Sequence, residues 1–331
     1  MFDIFKSKRI LVAGGAGFIG TNLIKRLLDI GAGNIRATKH IKEPAVRNSD
    51  VEYIKCDLTI KDDCRKAVTD IDYVFMCAAN TSGAAVMEKT PLAHVTPNVL
   101  MNTLLMEAAY QARAEKFLFI SSNTVYPVTD HPVKEEEAMS GDLFEKYFCV
   151  GWMKLFSEII CQMYATKIKN PMKTIVVRPA NIYGPYDDFE WETSHVIPAL
   201  IRKVVERHDP VEVWGDGNDL KDLIYIDDFI EGILLAMEKI NTFDPVNIGT
   251  GRSCSIKEAL QVMLAADGYL NAKISFNSSK PTMIPKRLID VSKAKRILGF
   301  EAAMPIEEGI ARTVKWYKKS RLENNEKIGV K

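Results

Sequence analysis

A glycine-rich turn near the start of the chain constrains the fold more than any other feature. The stretch "VAGGAGFIG" places Gly14, Gly17 and Gly20 between a short apolar run, residues 9–13, and a segment with apolar residues at helical spacing. In such a strand–turn–helix unit the first glycine makes the turn, the second admits a pyrophosphate and the third lets the helix pack on the strand. The helix N-terminus then favours bound phosphate. The pattern predicts a dinucleotide site; the alternative is a structural turn.

Strand and helix patterns alternate through the first half of the chain. Buried runs rich in Val, Ile and Phe, such as residues 73–79 and 116–122, are separated by helical segments of roughly 10–18 residues. Alternation of this kind is typical of a parallel sheet with helices on both faces. We therefore expect an α/β fold, a Rossmann-type doubly wound parallel sheet.

The regular alternation of strands and helices ends after Asn181, where loops and shorter strands predict a smaller C-terminal α/β substrate lobe. There is no internal repeat or low-complexity linker, so this lobe is expected to form from late insertions. The expected division is a dinucleotide-binding Rossmann domain of residues 1–180 plus about 223–250, and a nucleotide-sugar-binding lobe of residues 181–222 plus 251–331.

Composition limits the partners. The chain has 44 Lys and Arg against 43 Asp and Glu, so no bulk charge favours nucleic acid or an anionic membrane. Its six cysteines are scattered without metal-ligand spacing, which predicts reduced thiols, no metal site and a cytoplasmic protein. No apolar run approaches ~18 residues, so no membrane span is expected. The run before the glycine turn is too short for a signal peptide.

The second strand bears on the choice of coenzyme. The segment "NIRATKHIKEP" offers Arg36, Lys39 and His40 and no acid before Glu43. An acid there would bind ribose hydroxyls, whereas positive charge suits a 2′-phosphate. The coenzyme is therefore expected to be NAD or NADP, with a slight preference for NADP; the alternative is a solvated loop with incidental charge. The candidates for the adenine ring, after the next strand, are Asp57 and Leu58.

Several motifs together resemble a known family. The segments "GGAGFIG", "CAAN", "SSNTVYP", "VVRPANIYGP" and "LIYIDD" are similar to those of the extended short-chain dehydrogenase/reductases. The stretch "YGPYDDFEWETSHVIPALIRK" most resembles the GDP-fucose synthases and related GDP-sugar reductases. The resemblance covers nearly the whole chain. It implies an NAD(P)-dependent oxidoreductase acting at C4 of a GDP-linked hexose or heptose for surface polysaccharide, and a homodimer or homotetramer.

The resemblance also implies roles for individual residues. It assigns the catalytic serine to Ser122, the catalytic lysine to Lys154 and a histidine acid to His195. The implied coenzyme contacts, besides the glycines and Lys154, are Phe18, Ile19, Ala78, Ala79, Asn98, Pro179, Asn181 and Ile182. The implied substrate contacts are Asn123, Thr124, Asn181, His195, Val196, Lys203, Lys221 and Arg287. Independently of the resemblance, the flat ring of Trp214 is a candidate to stack on the nucleotide base; the alternative is a core residue.

Three positions depart from the family pattern. Val150 stands where the family has its catalytic tyrosine, four residues before Lys154. Thr124 replaces the cysteine base of the fucose synthases, and a threonine cannot remove a carbon-bound proton as a thiolate does, so C3/C5 epimerisation is not expected. Ala16 replaces a basic residue that family members can use for NADP.

The missing tyrosine leaves the proton donor open. The candidates are Tyr147, which lies one helical turn before Val150, His195, and Thr124 or a water molecule. Two other functions stay open. One is a nucleotide-sugar 4-epimerase that retains its coenzyme. The other is a nucleotide-sugar-binding paralogue that has lost catalysis.

Overall fold

A seven-stranded parallel sheet forms the centre of the protein. The computed structural model describes residues 2–81 and 89–328. The sheet strands are β1 (Ile10–Ala13), β2 (Ile35–Lys39), β3 (Val51–Lys55), β4 (Tyr73–Met76), β5 (Lys116–Ile120), β6 (Lys173–Pro179) and β11 (Val246–Ile248). They lie in the order β11-β6-β5-β4-β1-β2-β3. The predicted Rossmann-type parallel sheet is confirmed.

Helices cover both faces of this sheet. They are α1 (Phe18–Asp29), α2 (Lys61–Ala67), α3 (Val95–Gln111), α4 (Phe148–Thr166) and α6 (Ile226–Lys239). Alternate residues of a strand point to opposite faces. Thus Ile10 and Val12 share one buried cluster with Leu23 of α1, while Leu11 shares the other with Leu105 of α3. Among the described residues, no helix has both the length and the apolar character needed to cross a membrane.

Further elements of the described residues form small sheets and additional helices. They are β7 (Asn181–Tyr183), α5 (Val196–Val205), β8 (Val211–Trp214), β9 (Leu220–Lys221), β10 (Leu223–Tyr225), β12 (Cys254–Ser255), α7 (Ile256–Asp267), β13 (Ile274–Asn277), β14 (Lys286–Arg287) and α8 (Ile306–Ile328). β7 pairs with β10, β8 with β13, and β9 with both β12 and β14. Ser255 caps α7 in a capping box with Glu258, as the sequence indicates.

The chain crosses between the two groups of elements more than once. After β10 it forms α6 and then β11, which pairs with β6 at the edge of the main sheet. The chain therefore returns to the main sheet after β10. The finer domain bounds stay a prediction.

A buried ion pair joins α4 to the sheet. Glu158 of α4 accepts hydrogen bonds from Arg178 of β6, with Oε2–Nη2 and Oε1–Nε distances of 2.6 and 3.0 Å. Both side chains are about 5% exposed or less. The Ser121 hydroxyl, just after β5, also donates to Glu158. Because a buried charge that loses its partner is costly, this network holds α4 firmly against the ends of β5 and β6.

We predict that Arg178→Met destabilises the protein by about 3–5 kcal/mol, because it leaves the Glu158 carboxylate buried without its partner. The matched control is Arg65→Met, which removes an ion pair with Asp62 whose side chains are 53% and 75% exposed. This control should change stability by no more than about 0.5 kcal/mol. Urea unfolding followed by circular dichroism measures both variants. Equal losses in the two would contradict a structural role for the buried pair.

Candidate active site

The glycine turn has the geometry of an anion site. Gly14 has a φ of +82°, and a Cβ there would lie 2.7 Å from the backbone N and Cα of Ala78, so a side chain is excluded. Its N–H donates to Thr38 Oγ1 at 2.8 Å. Gly17 is the N-cap of α1 and offers no side-chain cap, so the first N–H groups of α1 are open to an outside acceptor. The predicted contacts in the first turn of α1 are Phe18, Ile19 and Gly20.

The basic residues of β2 divide between two surroundings. Arg36 donates to Glu52 at 2.7 Å and to the carbonyl of Thr69 at 2.8 Å, which ties it to β3 and the end of α2. Lys39 pairs with Glu43 at 2.9 Å. His40 is 59% exposed, with Nε2 3.9 Å from Asp57 Oδ2. Only Lys39 and His40 therefore stay available for a phosphate near the glycine turn.

Asp57 and the end of β4 line the same edge of the sheet. The Asp57 carboxylate accepts from both the hydroxyl and the N–H of Thr59, and these bonds lower its pKa. Asn98 of α3 exchanges two hydrogen bonds with the backbone of Asn80, at 2.9 and 2.8 Å, so it fixes the loop after β4. Of the other predicted coenzyme contacts here, Ala78 is half-buried, Ala79 exposed and Leu58 buried.

Ser122 and Lys154 both lie near the end of β5. The Lys154 ammonium donates to the carbonyl oxygen of Ile120 at 2.8 Å. Ser122 Oγ accepts from the N–H and the hydroxyl of Thr124, at 3.1 and 2.9 Å. α4 packs directly on this turn, since a Cβ on Gly151 would lie 2.6 Å from the Thr124 carbonyl oxygen. The sheet edge and the first turns of α4 thus bring the predicted serine, threonine and lysine together.

Burial sets the protonation of Lys154. The residue is only 8% exposed, and burial lowers its pKa to about 8, although the nearby Glu158 carboxylate acts in the opposite direction. The ammonium also lies 4.9 Å from the centre of the Phe119 ring. This lysine therefore exchanges its proton close to neutral pH, a property useful in proton-transfer chemistry.

Val150 and Tyr147 both lie at the start of α4. Val150, half-buried in the first turn of α4, has no titratable group. Tyr147 is hydrogen-bonded to the backbone of Ile284 and lies near Arg287. Burial raises the pKa of Tyr147 to about 12. A phenol held protonated in this way is poorly matched to acid–base work near pH 7.

Residues around the end of β6 close the site on one side. Asn123 donates to the carbonyl of Pro179 at 3.1 Å, and Asn181 donates its N–H to the carbonyl of Asp222 at 2.9 Å. The Asp222 carboxylate in turn accepts from the N–H of Gly251 at 2.9 Å. The sequence reading did not single out Asp222, which stabilises the turn between the two groups of elements. Ile182, in β7, is half-buried.

His195 is the N-cap residue of α5. The His195 side chain is exposed, and the loss of solvation from the protein packed around its ring lowers the pKa of His195. The carboxylate of Asp188 acts in the opposite direction, while His94 adds to the lowering. His94 precedes α3, and the sequence reading gave it no role. The next residue, Val196, is 39% exposed.

The predicted basic substrate contacts are buried and bound to backbone carbonyls. Lys203 donates to the Glu212 carbonyl at 2.7 Å, and Lys221 donates to that of Ile284. Arg287, 3% exposed, donates to the carbonyls of Pro127 and Tyr126 at 2.9 and 3.1 Å. Trp214 is 37% exposed, with an ammonium, that of Lys280, 5.7 Å from its ring centre.

The fold and the site define a class of protein. It comprises Rossmann-type dinucleotide-binding proteins with a serine and a lysine at the carboxyl edge of the sheet. Within residues 2–81 and 89–328, no group of three His, Cys, Asp or Glu side chains is arranged to hold a metal. The chain matches the NAD dependent epimerase/dehydratase family over residues 10–249, and it belongs to that family. The predicted family is thereby confirmed.

Individual relatives are similar over nearly their whole length. The probable GDP-L-fucose synthase 1 of Oryza sativa subsp. japonica is 30% identical over 319 residues, covering 94% of this chain and 92% of that protein. Among solved structures, UDP-glucose 4-epimerase of Thermotoga maritima, with UDP-glucose, has a TM-score of 0.83 at 27% identity, covering 94% and 99% of the two chains. UDP-glucuronic acid 4-epimerase from Bacillus cereus, in complex with UDP-glucuronic acid and NAD, has a TM-score of 0.82 at 27% identity, with the same coverage.

Burial of Lys154 predicts a pH-dependent stability difference. The folded-state pKa is about 8, below the ordinary value of about 10.4 in an unfolded chain. The buried, charged lysine therefore destabilises the folded state below pH 8. This free-energy cost disappears as the pH rises to about 10.4, because the lysine is then neutral in the folded state. Relative to that of Lys154→Met, the free energy of unfolding of wild type should increase by on the order of 3 kcal/mol between about pH 7 and 10. Denaturant unfolding across this range measures the difference, and a flat result would contradict a buried ammonium.

Proposed function

We propose that the protein is an NAD(P)-dependent oxidoreductase that acts at C4 of a nucleotide-diphosphate sugar. The proposed substrate is a GDP-linked hexose or heptose used for surface polysaccharide. The observation that carries this proposal is that Ser122 and Lys154 both lie near the end of β5, at the sheet edge that also bears the glycine turn. The relative named as a GDP-L-fucose synthase supports a GDP-linked substrate.

The residues at the glycine turn fit a dinucleotide. The left-handed Gly14 and the uncapped start of α1 suit a diphosphate, and a Cβ at Gly14 would close the turn. When bound, the coenzyme supplies the acceptor or donor of hydride. Lys154 and Ser122 then act on the sugar hydroxyl, which Ser122 orients by hydrogen bonding while Lys154 supplies positive charge.

We assign the acid–base role at the sugar hydroxyl to His195. Hydride transfer at a carbinol needs a group that takes or gives the hydroxyl proton, and such help is worth about 10²–10⁴-fold in rate. Val150 has no proton to exchange, and Tyr147 is hydrogen-bonded to the backbone of Ile284. The Thr124 hydroxyl donates to Ser122. The exposed His195 side chain stands at the start of α5, and an imidazole can give or take a proton near pH 7.

The buried cations support an anionic substrate. Arg287 is almost fully buried, and the partners that its guanidinium contacts are carbonyl oxygens. Its Nε has no hydrogen-bond partner within the described part of the chain, and burial lowers the pKa of Arg287. A buried positive charge without a carboxylate is costly until an anion arrives. In this proposal the diphosphate of a nucleotide sugar supplies that negative charge.

Turnover assays separate the main proposal from its alternatives. The two epimerase structures favour a second candidate, a 4-epimerase that retains its coenzyme, although Val150 weighs against an efficient base. A binding paralogue is the third. The protein is incubated with GDP-mannose, GDP-heptose and their 4-keto-6-deoxy forms, with both coenzymes. Net oxidation or reduction of the coenzyme indicates the oxidoreductase, and inversion at C4 without a net change in the coenzyme indicates the epimerase. Binding of a nucleotide sugar without turnover indicates the paralogue.

The proposed setting is a homo-oligomer in the cytoplasm. All six cysteines are free, which suits a reducing compartment. Phe148, Trp152 and Phe156 lie one helical turn apart on α4 and are 44–60% exposed. An apolar stripe of this kind supports helix pairing between two copies of the chain, as a homodimer or homotetramer requires.

We predict that NADPH binds more tightly than NADH. Lys39 and His40 lie where a 2′-phosphate is expected, and the partly exposed Lys39–Glu43 pair contributes little stability of its own. Removing one charge-assisted contact in Lys39→Ala should weaken NADPH binding about tenfold and leave NADH binding unchanged. Lys61→Ala, on α2, is the control. Coenzyme fluorescence titration gives the affinities. Tighter binding of NADH would identify an NAD enzyme instead.

We predict that a restored tyrosine bypasses His195. His195→Ala should lower kcat/KM by about 10²–10⁴-fold, because the proton transfer is lost. Adding Val150→Tyr should recover much of this rate, since a phenol four residues before Lys154 supplies the missing proton. Val150→Phe in the same background carries the ring without the hydroxyl and should recover nothing. Undiminished turnover by His195→Ala alone would rule out the histidine as the donor.

A further inference from the structure

The two-stranded sheet of β8 and β13 has one polar face. Val211 and Val213 of β8 are buried in the core, and because side chains alternate along a strand, Glu212 and Trp214 point to the opposite face. The parallel register places Asn277 of β13 directly beside Trp214. The Glu212 side chain is 37% exposed, as is Trp214. A carboxylate and a flat ring therefore lie side by side on an accessible surface.

The Glu212 carboxylate is held in place by its neighbours. Its Oε1 accepts from the Asn277 amide nitrogen at 2.8 Å, and its Oε2 accepts from the Trp214 indole N–H at 3.3 Å. Asn277 is itself fixed, because its Oδ1 accepts from the N–H and the hydroxyl of Ser279, at 3.1 and 2.6 Å. The hydrogen bond from Asn277 lowers the pKa of Glu212, and Lys203 acts in the same direction. Glu212 is therefore an ionised and preorganised acceptor of hydrogen bonds.

Two lysines border this face. The Lys203 ammonium donates to the backbone carbonyl of Glu212 at 2.7 Å and lies 3.8 Å from Glu212 Oε2. The Lys280 ammonium lies 5.7 Å from the centre of the Trp214 ring. Lys203 is one of the residues that the resemblance assigns to the substrate. A nucleotide whose phosphates contact Lys203 would therefore have its base within reach of Glu212 and Trp214.

The hydrogen-bonding edge of a base determines how it meets such a carboxylate. An ionised carboxylate only accepts hydrogen bonds, and its two oxygens offer about four acceptor positions. Asn277 and Trp214 occupy only part of this capacity. Guanine presents two adjacent donors, N1–H and the 2-amino group, which match the two oxygens in a paired, charge-assisted contact. Uracil presents a single N–H between two carbonyl oxygens, and a carboxylate repels those oxygens.

We propose that Glu212 is the residue that selects guanine in the substrate, with Trp214 stacking on the base and Asn277 as the positioning residue that orients the carboxylate. Family membership does not fix the base, because one relative is named as a GDP-L-fucose synthase and one solved structure holds UDP-glucose. The inference rests on the proposed function for the attached sugar, but selection of the base is measurable with a nucleotide alone.

The first test compares nucleoside diphosphates that differ in the base. Isothermal titration calorimetry of wild type, with saturating NAD⁺ and NADP⁺ to fill the dinucleotide site, should show that GDP binds at least about tenfold more tightly than UDP or inosine diphosphate. Inosine diphosphate keeps the purine ring and N1–H but lacks the 2-amino group, so its deficit reports the second hydrogen bond and not stacking. Equal affinities for GDP and inosine diphosphate, or no binding of GDP, overturn the proposal.

The second test removes the carboxylate. Glu212→Gln replaces one oxygen by an amide donor, so GDP binding should weaken by about tenfold or more, while UDP binding should not weaken. Glu301→Gln, at an exposed carboxylate that pairs with Lys295, makes the same change of charge and should leave every affinity unchanged. Glu212→Val keeps a residue suited to a strand and serves if the glutamine variant does not fold. A folded Glu212 variant with the wild-type ratio of GDP to UDP affinity overturns the role of Glu212.

Turnover separates this inference from the proposed function. If GDP binds selectively through Glu212 and wild type turns over no nucleotide sugar, the selection of guanine stands and the proposed oxidoreductase fails. If wild type prefers a UDP-linked sugar, the oxidoreductase stands and the selection of guanine fails. With a GDP-linked sugar, Glu212→Gln should raise KM about tenfold and leave kcat within about twofold, because the contact is made equally before and during the reaction at C4. A lower kcat with unchanged KM contradicts a role in base binding.

Discussion

The hydrogen bond from the Lys154 ammonium to the carbonyl oxygen of Ile120 is the interaction on which the site depends. It fastens the first turns of α4 to the end of β5, and one helical turn later Glu158 binds Ser121 and Arg178. These contacts are buried, so each charge is held by a specific partner and not by water. The result is a rigid edge of the sheet on which the serine, the lysine and the glycine turn keep fixed relative positions.

The valine at position 150 changes how this rigid edge can perform proton transfer. The resemblance places a tyrosine at this position, and valine has no proton to exchange. The group proposed for the sugar hydroxyl, His195, precedes α5 in the other group of elements. In this proposal the proton step depends on how distant segments pack, because a misplacement of about 1 Å can cost about 10²-fold in rate.

Local patterns were sufficient for much of the fold but not for its shortest strands. The β1–glycine–α1 unit and the capping box at Ser255 follow from neighbouring residues, since turn and cap chemistry is local. The three-residue strands β7 and β11 escaped prediction because their identity comes from partners far away, β10 and β6. The partners of Arg36 were not predicted either, for the same reason. In the sequence its charge was available for a 2′-phosphate, but in the structure it is bound to Glu52 and the end of α2.

The sequence by itself determined the family, the parallel sheet and the glycine turn, because each depends on residue type at a fixed spacing. Only the tertiary structure decided that the Lys154 ammonium is buried against the carbonyl oxygen of Ile120, that this burial lowers its pKa, and that Arg36 is bound to Glu52. Burial and the meeting of residues from separate lobes depend on how distant segments pack. No local pattern of residues carries that information.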